Sequence, residues 1–152
     1  MTTVHARLEE LGLTLPEVAA PVAAYVPAVQ SGKQIITSGQ LPFVNGQLAA
    51  LCKVGTDVTP EEAQAAAGVC VLNALAAVAS LVDLDDVVKI VRLGVFVASS
   101  PEFTGQPAVA NGASELVGQI FGEAGAHARA AVGVAVLPLN ACVEVELVAE
   151  VR

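Results

Sequence analysis

Basic residues are scarce in this chain. Only 7 Lys+Arg stand against 15 Asp+Glu, giving a formal net charge of −8. They form no cluster. Affinity for nucleic acid comes largely from Lys and Arg neutralising phosphates, so a nucleic-acid partner is not expected. Aromatic residues are scarcer still, at 3% with no tryptophan, although hydrophobic residues reach 55%. The core is therefore expected to be Ala, Val and Leu, small enough to let helix approach sheet closely. So much apolar surface in 152 residues suggests burial beyond what one copy achieves, with oligomerisation as the simplest outlet.

Cysteine is also sparse. Cys52, Cys70 and Cys142 are dispersed, without C-x-x-C spacing. An odd, scattered set argues for reduced thiols and against a disulfide framework, and the expected compartment is the cytoplasm. Glu9, Glu10 and Pro16 stand where an export signal needs an apolar core. Ala65 to Val82 carries no charge and meets the length of a membrane span. It is mostly alanine and contains Asn73 and Ser80. We read it as a buried helix, with no membrane partner.

What is present reads as one domain over residues 1–152, with 1–24 as an N-terminal extension. Val4 to Leu11 suggests a short helix, and Pro16, Pro21 and Pro27 keep the following stretch extended. Ser31-Gly32 and Asn45-Gly46 have the composition of two-residue hairpin turns joining three short strands, Gln34 to Thr37 among them. Thr59-Pro60-Glu61-Glu62 is a capped helix start. Ala67, Val71, Leu75, Val78 and Val82 then recur at helical spacing, and Asp83, Asp85 and Asp86 end the helix.

Val87 to Val97 reads as a strand. Pro107 to Gly122 reads as a second helix, with Val109, Ala113, Leu116, Val117, Ile120 and Phe121 as its stripe. Ala130 to Leu137 and Val143 to Val151 read as closing strands. The last one alternates valine, leucine and alanine against Glu144, Glu146 and Glu150. The order predicts an α+β fold: about six strands in a mixed sheet, two helices on one face, the other face partly bare.

Recognised chemical motifs are largely missing. No His/Cys pair has metal-ligand spacing, and no Gly-rich stretch ends in the Lys-Ser/Thr of a phosphate loop. Ser38 lies in T-S-G, without the strand-to-helix elbow or neighbouring histidine of a serine hydrolase. What remains is Tyr25, Ser38, Gly39, Asn111, Arg129 and Glu144. Each has a plain structural reading. Tyr25 can be an edge aromatic, Ser38 and Gly39 turn residues, Asn111 helix decoration and Glu144 a solvated face residue. Arg129 stands at the mouth of the apolar run A-R-A-A-V-G-V-A-V-L-P. A guanidinium placed there needs an anion, either a protein carboxylate or a ligand.

Y-V-P-A-V at 25–29, I-I-T-S-G-Q-L-P at 35–42, V-F-V-A-S-S-P-E-F at 95–103 and A-R…L-P…V-E-V-E at 128–146 together resemble the Rid family. These are reactive intermediate deaminases, also known as YjgF-like proteins, and an older description calls them L-PSP endoribonucleases. The resemblance implies a chorismate-mutase-like trimer with a ligand cleft between subunits. It implies that Arg129 binds a substrate carboxylate, that Glu144 orients water, and that Tyr25, Ser38, Gly39 and Asn111 line the site. The implied reaction is hydrolysis of 2-aminoacrylate-type enamines or 2-iminobutanoate-type imines to 2-oxo acids and ammonia, without metal or organic cofactor.

Three departures mark a divergent branch. Arg129-Ala130-Ala131-Val132 replaces the family's Arg-Ser-Cys-Val. His127 stands where an apolar residue or proline is usual, and the segment before Tyr25 is longer. The competing readings are a non-catalytic binder of small carboxylates on the same scaffold, a ribonuclease, and a packing or scaffold role. The scarcity of cations argues against the ribonuclease.

Overall fold

The strict alternation of apolar and acidic residues near the C-terminus makes the strand around which the sheet is assembled. In the computed structural model, which describes residues 2–21 and 23–152, the elements run in chain order as follows. Helix α1 (Val4–Glu10) precedes two hairpins, β1 (Ala28–Ser31) with β2 (Gln34–Thr37) and β3 (Phe43–Val44) with β4 (Gln47–Leu48). Then come α2 (Pro60–Ala79), β5 (Val87–Ala98), α3 (Gln106–Phe121), β6 (Ala128–Val134) and β7 (Val143–Val151).

The main sheet has five strands in the order β1-β2-β7-β5-β6, and β3-β4 forms a separate two-stranded sheet. The mixed α+β architecture matches the sequence reading, with the strands divided five and two. β5 pairs antiparallel with β7 and parallel with β6. The parallel pair needs a long crossover, which α3 supplies. Alternate residues of β7 from Val143 to Val151 are buried. With Leu93, Val95 and Ile90 of β5 they share one core with α2 and α3.

Local chemistry explains the element ends. Thr59 Oγ1 accepts from Glu62 N at 3.1 Å and Glu62 Oε2 accepts from Thr59 N at 3.2 Å. This capping box satisfies two otherwise orphaned donors at the start of α2. The helix stops at Ala79, earlier than the aspartates suggest. Ser80 Oγ donates to Ala77 O at 2.6 Å, and Asp83 instead caps the short 3-10 turn Leu84–Asp86. The first hairpin turns at Gly32-Lys33, one residue later than expected, with Gly32 at φ +60°. The second turns at Asn45-Gly46 as expected, both residues in the left-handed region. β6 begins at Ala128 and ends at Val134, because its register on β5 starts at Arg92↔Ala128. Arg129 is therefore the second residue of an edge strand, not the residue ahead of it.

The uncharged stretch is α2, whose buried residues include Leu75 and Val78. It packs on β7 and α3, so this apolar helix is a core element. α1 packs on α3 and on the 84–86 turn. There His5 Nε2 and Asp83 Oδ1 lie 2.8 Å apart, and Val4 N donates to Asp85 at 2.7 Å. On the face away from α2 and α3, Val29, Ile36 and Val132 are 47%, 38% and 45% exposed, the bare face the composition suggested.

The tightest joint is the crossing of α2 and α3. A Cβ on Gly112 would lie 2.0 Å from Gln64 O, and Gln64 Nε2 donates to Ala108 O across the same crossing at 2.7 Å. Gly112→Ala must push the helices apart, and we expect it to cost about 1–3 kcal/mol, read as a lower urea midpoint with unchanged helix content. An unchanged midpoint would refute this account of the crossing. The thiols give a second check. Burial pushes Cys142 up to about 11, and burial followed by the charge at Cys142 raises Cys70 well above the usual thiol range. At neutral pH both stay protonated and inert. We expect native protein to take one iodoacetamide label per chain, at the half-buried Cys52; labelling of all three would refute it.

Candidate functional site

The fold sorts the six residues singled out in the sequence into two groups. Glu144 extends from the face of β7 opposite the helices, since its neighbours Val143 and Val145 are buried among them. Gly39 lies directly against it. A Cβ on Gly39 would sit 2.8 Å from Glu144 Cδ and Oε1, so glycine is what gives the carboxylate its room. The backbone of Gln40 pairs with Val145 in both directions, at 2.8 and 3.0 Å, and this bridge holds the S-G-Q segment beside β7. Tyr25, Pro27, Gly39, Leu41, Phe43 and Glu144 line a cavity of about 80 Å³.

Ser38 is a neighbour of this cavity and not part of its lining. Its Oγ donates to Val26 O at 2.6 Å and its amide donates to Pro27 O at 2.8 Å. Ser38 thus pins the segment that presents Tyr25. Gln40, which the sequence did not single out, is buried and does line the cavity. Ala19, Ala20 and Pro21 of the N-terminal extension, with Pro138, complete the wall. A wider hollow of about 610 Å³ lies between residues 16–20, the β3-β4 hairpin and Asn73. Among the described residues that line it, Glu17 alone is titratable.

The pKa of Glu144 is raised, first by burial and second by the charge of Glu146. Burial disfavours the ionised form and a like charge adds to it. Glu146 itself is held by Arg92 Nη1 at 3.1 Å.

Arg129 belongs to the second group. In the parallel register it stands beside buried Leu93, so it projects toward α3 and not toward Glu144. Its Nη1 donates to Asn111 Oδ1 at 2.8 Å and to Ser114 Oγ at 3.1 Å, and Nη2 donates to Pro107 O at 3.5 Å. Every one of these acceptors is neutral. Among the described residues no carboxylate lies within ion-pair reach of Arg129, whereas Arg7, Arg92 and Arg152 each have one. The structural ion pair considered for Arg129 is therefore not what holds it. Nη1 is committed twice, which leaves Nε–H and one Nη2–H as a side-on fork. That fork suits one carboxylate bound through both oxygens.

The sequence missed Ser114 altogether and left His127 without a role. Ser114 is three residues beyond Asn111, one turn along the same helix face, and that spacing was the available signal. Sequence spacing also concealed a cluster of potential metal ligands. His5, Asp83 and Asp85 bring ligand atoms within 4.8 Å of one another. Those atoms already tie α1 to the 84–86 turn.

The fold and site together define an α+β protein that offers an uncompensated guanidinium at a sheet edge and a half-buried carboxyl in a small cavity. The chain belongs to the family described as "YjgF/chorismate_mutase-like, putative endoribonuclease", whose model matches residues 5–151. It is 49% identical to protein TCP17 of Trypanosoma cruzi over 98% of this chain and 94% of that one. The structure of Atu1372 from Agrobacterium tumefaciens, a protein of unknown function, is 46% identical over 99% of this chain and 94% of that one, with a TM-score of 0.90. A Shewanella oneidensis protein described as a "putative endoribonuclease" is 38% identical over 99% of this chain and 100% of that one, with a TM-score of 0.95. More distantly, Escherichia coli TdcF, solved with bound serine, is 27% identical over 91% of this chain and 95% of that one, with a TM-score of 0.58.

The electrostatics yield a direct check. A carbon-detected NMR titration should place the Glu144 midpoint above the ordinary Glu value of about 4.3. Glu146→Gln removes the second cause and should move that midpoint down. A midpoint at or below the ordinary value in the parent protein would contradict the burial argument.

Proposed function

We infer that this protein is a hydrolytic deaminase of small reactive enamines and imines, which converts 2-aminoacrylate- or 2-iminobutanoate-type acids to 2-oxo acids and ammonia. The observation that carries the reading is Arg129, a guanidinium held only by neutral groups with its side-on fork unused. Such an arrangement keeps a full positive charge available for an anion. TdcF with bound serine supports a small carboxylate-bearing ligand on this scaffold.

An enamine first tautomerises to the imine, gaining a proton at Cβ and losing one from nitrogen; water then adds across C=N, and the carbinolamine collapses to the 2-oxo acid and ammonia. Arg129 clamps the carboxylate and orients the imine carbon. The pKa of Glu144 is raised by burial and then by Glu146, the direction that suits a carboxyl to general acid–base work. It positions or deprotonates the water and returns the proton to the departing nitrogen. A backbone group beside Gly39 meets the nitrogen or the developing charge. Imines hydrolyse readily in water, so orientation with modest proton transfer is enough. We assign this activity to the cytoplasm, where the three free cysteines stay reduced.

Within one chain the two groups lie apart, with Arg129 beside α3 and Glu144 on the opposite face of the sheet. We therefore place the complete site between copies in a homotrimer. Arg129 of one copy faces the Glu144 cavity of the next, and the apolar residues of the bare sheet face are covered at the centre. Light scattering should give three times the chain mass, and a stable monomer would refute the shared site.

Turnover is tested by generating the imine from threonine with a dehydratase and following 2-oxobutanoate formation with and without the protein. Arg129→Ala and Arg129→Lys should both abolish the acceleration while the assembly survives, since an ammonium cannot reproduce the fork. Glu144→Gln should impair turnover far more than binding of 2-oxobutanoate. Wild-type protein that binds the oxo acid without accelerating hydrolysis would instead be a carboxylate-binding regulator on the same scaffold.

A further inference from the structure

His127 occupies a defined place that the reaction above does not use. Gly125 O lies 2.6 Å from His127 Nδ1. A carbonyl only accepts, so Nδ1 carries the proton and Nε2 of the neutral ring is an acceptor. Ser114 Oγ lies 2.9 Å from Nε2 and therefore donates to it. The same oxygen accepts from Arg129 Nη1 at 3.1 Å. With the ring in this tautomer the row runs from Arg129 to Ser114 to His127 to the Gly125 carbonyl. The anchor is closely packed as well. A Cβ on Gly125 would lie 2.7 Å from Val117 O, so its backbone is seated directly against α3.

We propose that His127, acting through Ser114, is a positioning residue that sets the orientation of the Arg129 guanidinium. Accepting the serine proton turns the Ser114 lone pairs toward Nη1. Together with Asn111 Oδ1, this commits Nη1 and leaves Nε and Nη2 facing outward. Without the imidazole, the Ser114 hydroxyl turns to a carbonyl one turn back along α3, the usual alternative for a serine inside a helix, and Nη1 loses a directed acceptor. The row does its work without a negative charge. A carboxylate at position 127 or 114 would hold the arginine equally well, but it would cancel the charge that a carboxylate ligand needs. The link from orientation to ligand affinity rests on the reading of Arg129 as a carboxylate clamp.

The test uses full-length His127→Phe, His127→Gln, Ser114→Ala and the Ser114→Ala/His127→Phe pair. Nitrogen-15 exchange measurements on the Arg129 guanidinium of ligand-free protein decide the proposal. Rotation about Cζ–Nη1 should be slow in the parent and His127→Gln, whose Oε1 can accept from Ser114. It should be faster in both single disruptions and no faster in the pair. Calorimetry with 2-oxobutanoate adds the functional arm. Each disruption should weaken binding about tenfold, the scale of one charge-assisted hydrogen bond, with the pair no worse than either alone and His127→Gln close to the parent.

If His127→Phe lowers the melting temperature but leaves Arg129 rotation unchanged, His127 merely fastens residues 122–125 to α3 and the proposal is overturned. If rotation responds as expected while the parent binds no oxo acid, the positioning row stands and the carboxylate reading of Arg129 fails.

Discussion

The pairing of β5 with β7, from Val87↔Val151 to Val97↔Val143, governs the rest of the molecule. It is the central antiparallel ladder of the sheet, shifted in register between Val87 and Lys89 and between Ile90 and Arg92, and β7 buries every second residue beneath the helices. Because side chains alternate with period 2, sealing Val143, Val145, Leu147, Ala149 and Val151 beneath the helices sends Glu144 and Glu146 to the other face. A one-residue slip would bury the glutamates and expose the valines, so the register is strongly specified. The same constraint produces the raised pKa of Glu144, which shares its face with Glu146 and is covered by the segment carrying Gly39.

The parallel β5-β6 pair transmits this frame to the second group. Its register sets Arg129 beside Leu93, and α3, as the crossover, brings Asn111 and Ser114 over the edge strand. Arg129 and Glu144 are thus placed by opposite faces of one sheet. Close approach makes this possible. Glycine at 112 lets α3 sit on α2, glycine at 125 lets the chain return against α3, and glycine at 39 leaves space for a carboxylate. A core of alanine and valine with almost no aromatics is what permits such short separations.

Much of the fold was legible in the sequence because its signals are local. The Thr59-Glu62 capping box, the Asn45-Gly46 turn and the alternation of β7 depend on neighbours within a few residues. The errors fell where a non-local partner decided. β6 starts earlier than its apolar run suggests because β5 sets its register. α2 ends before the aspartates because Ser80 closes the turn and Asp83 serves the next one. Of the site residues, Ser38 also pins the chain to Val26 and Pro27. Gln40 lines the cavity because its backbone bridges to Val145, a contact across more than a hundred residues.

By itself the sequence determined most element types, the buried faces of α2, α3 and β7, the excess of acidic residues and the family. Those properties follow from composition, period and turn chemistry. Only the tertiary structure decided which polar groups meet. It gave Arg129 neutral partners instead of a carboxylate, joined His127 to Ser114, and put Arg129 and Glu144 on different sides of one sheet. Hydrogen-bond direction and charge compensation depend on distances of a few tenths of an ångström between segments remote in the chain. No local pattern encodes those distances; packing of the helices on the sheet does.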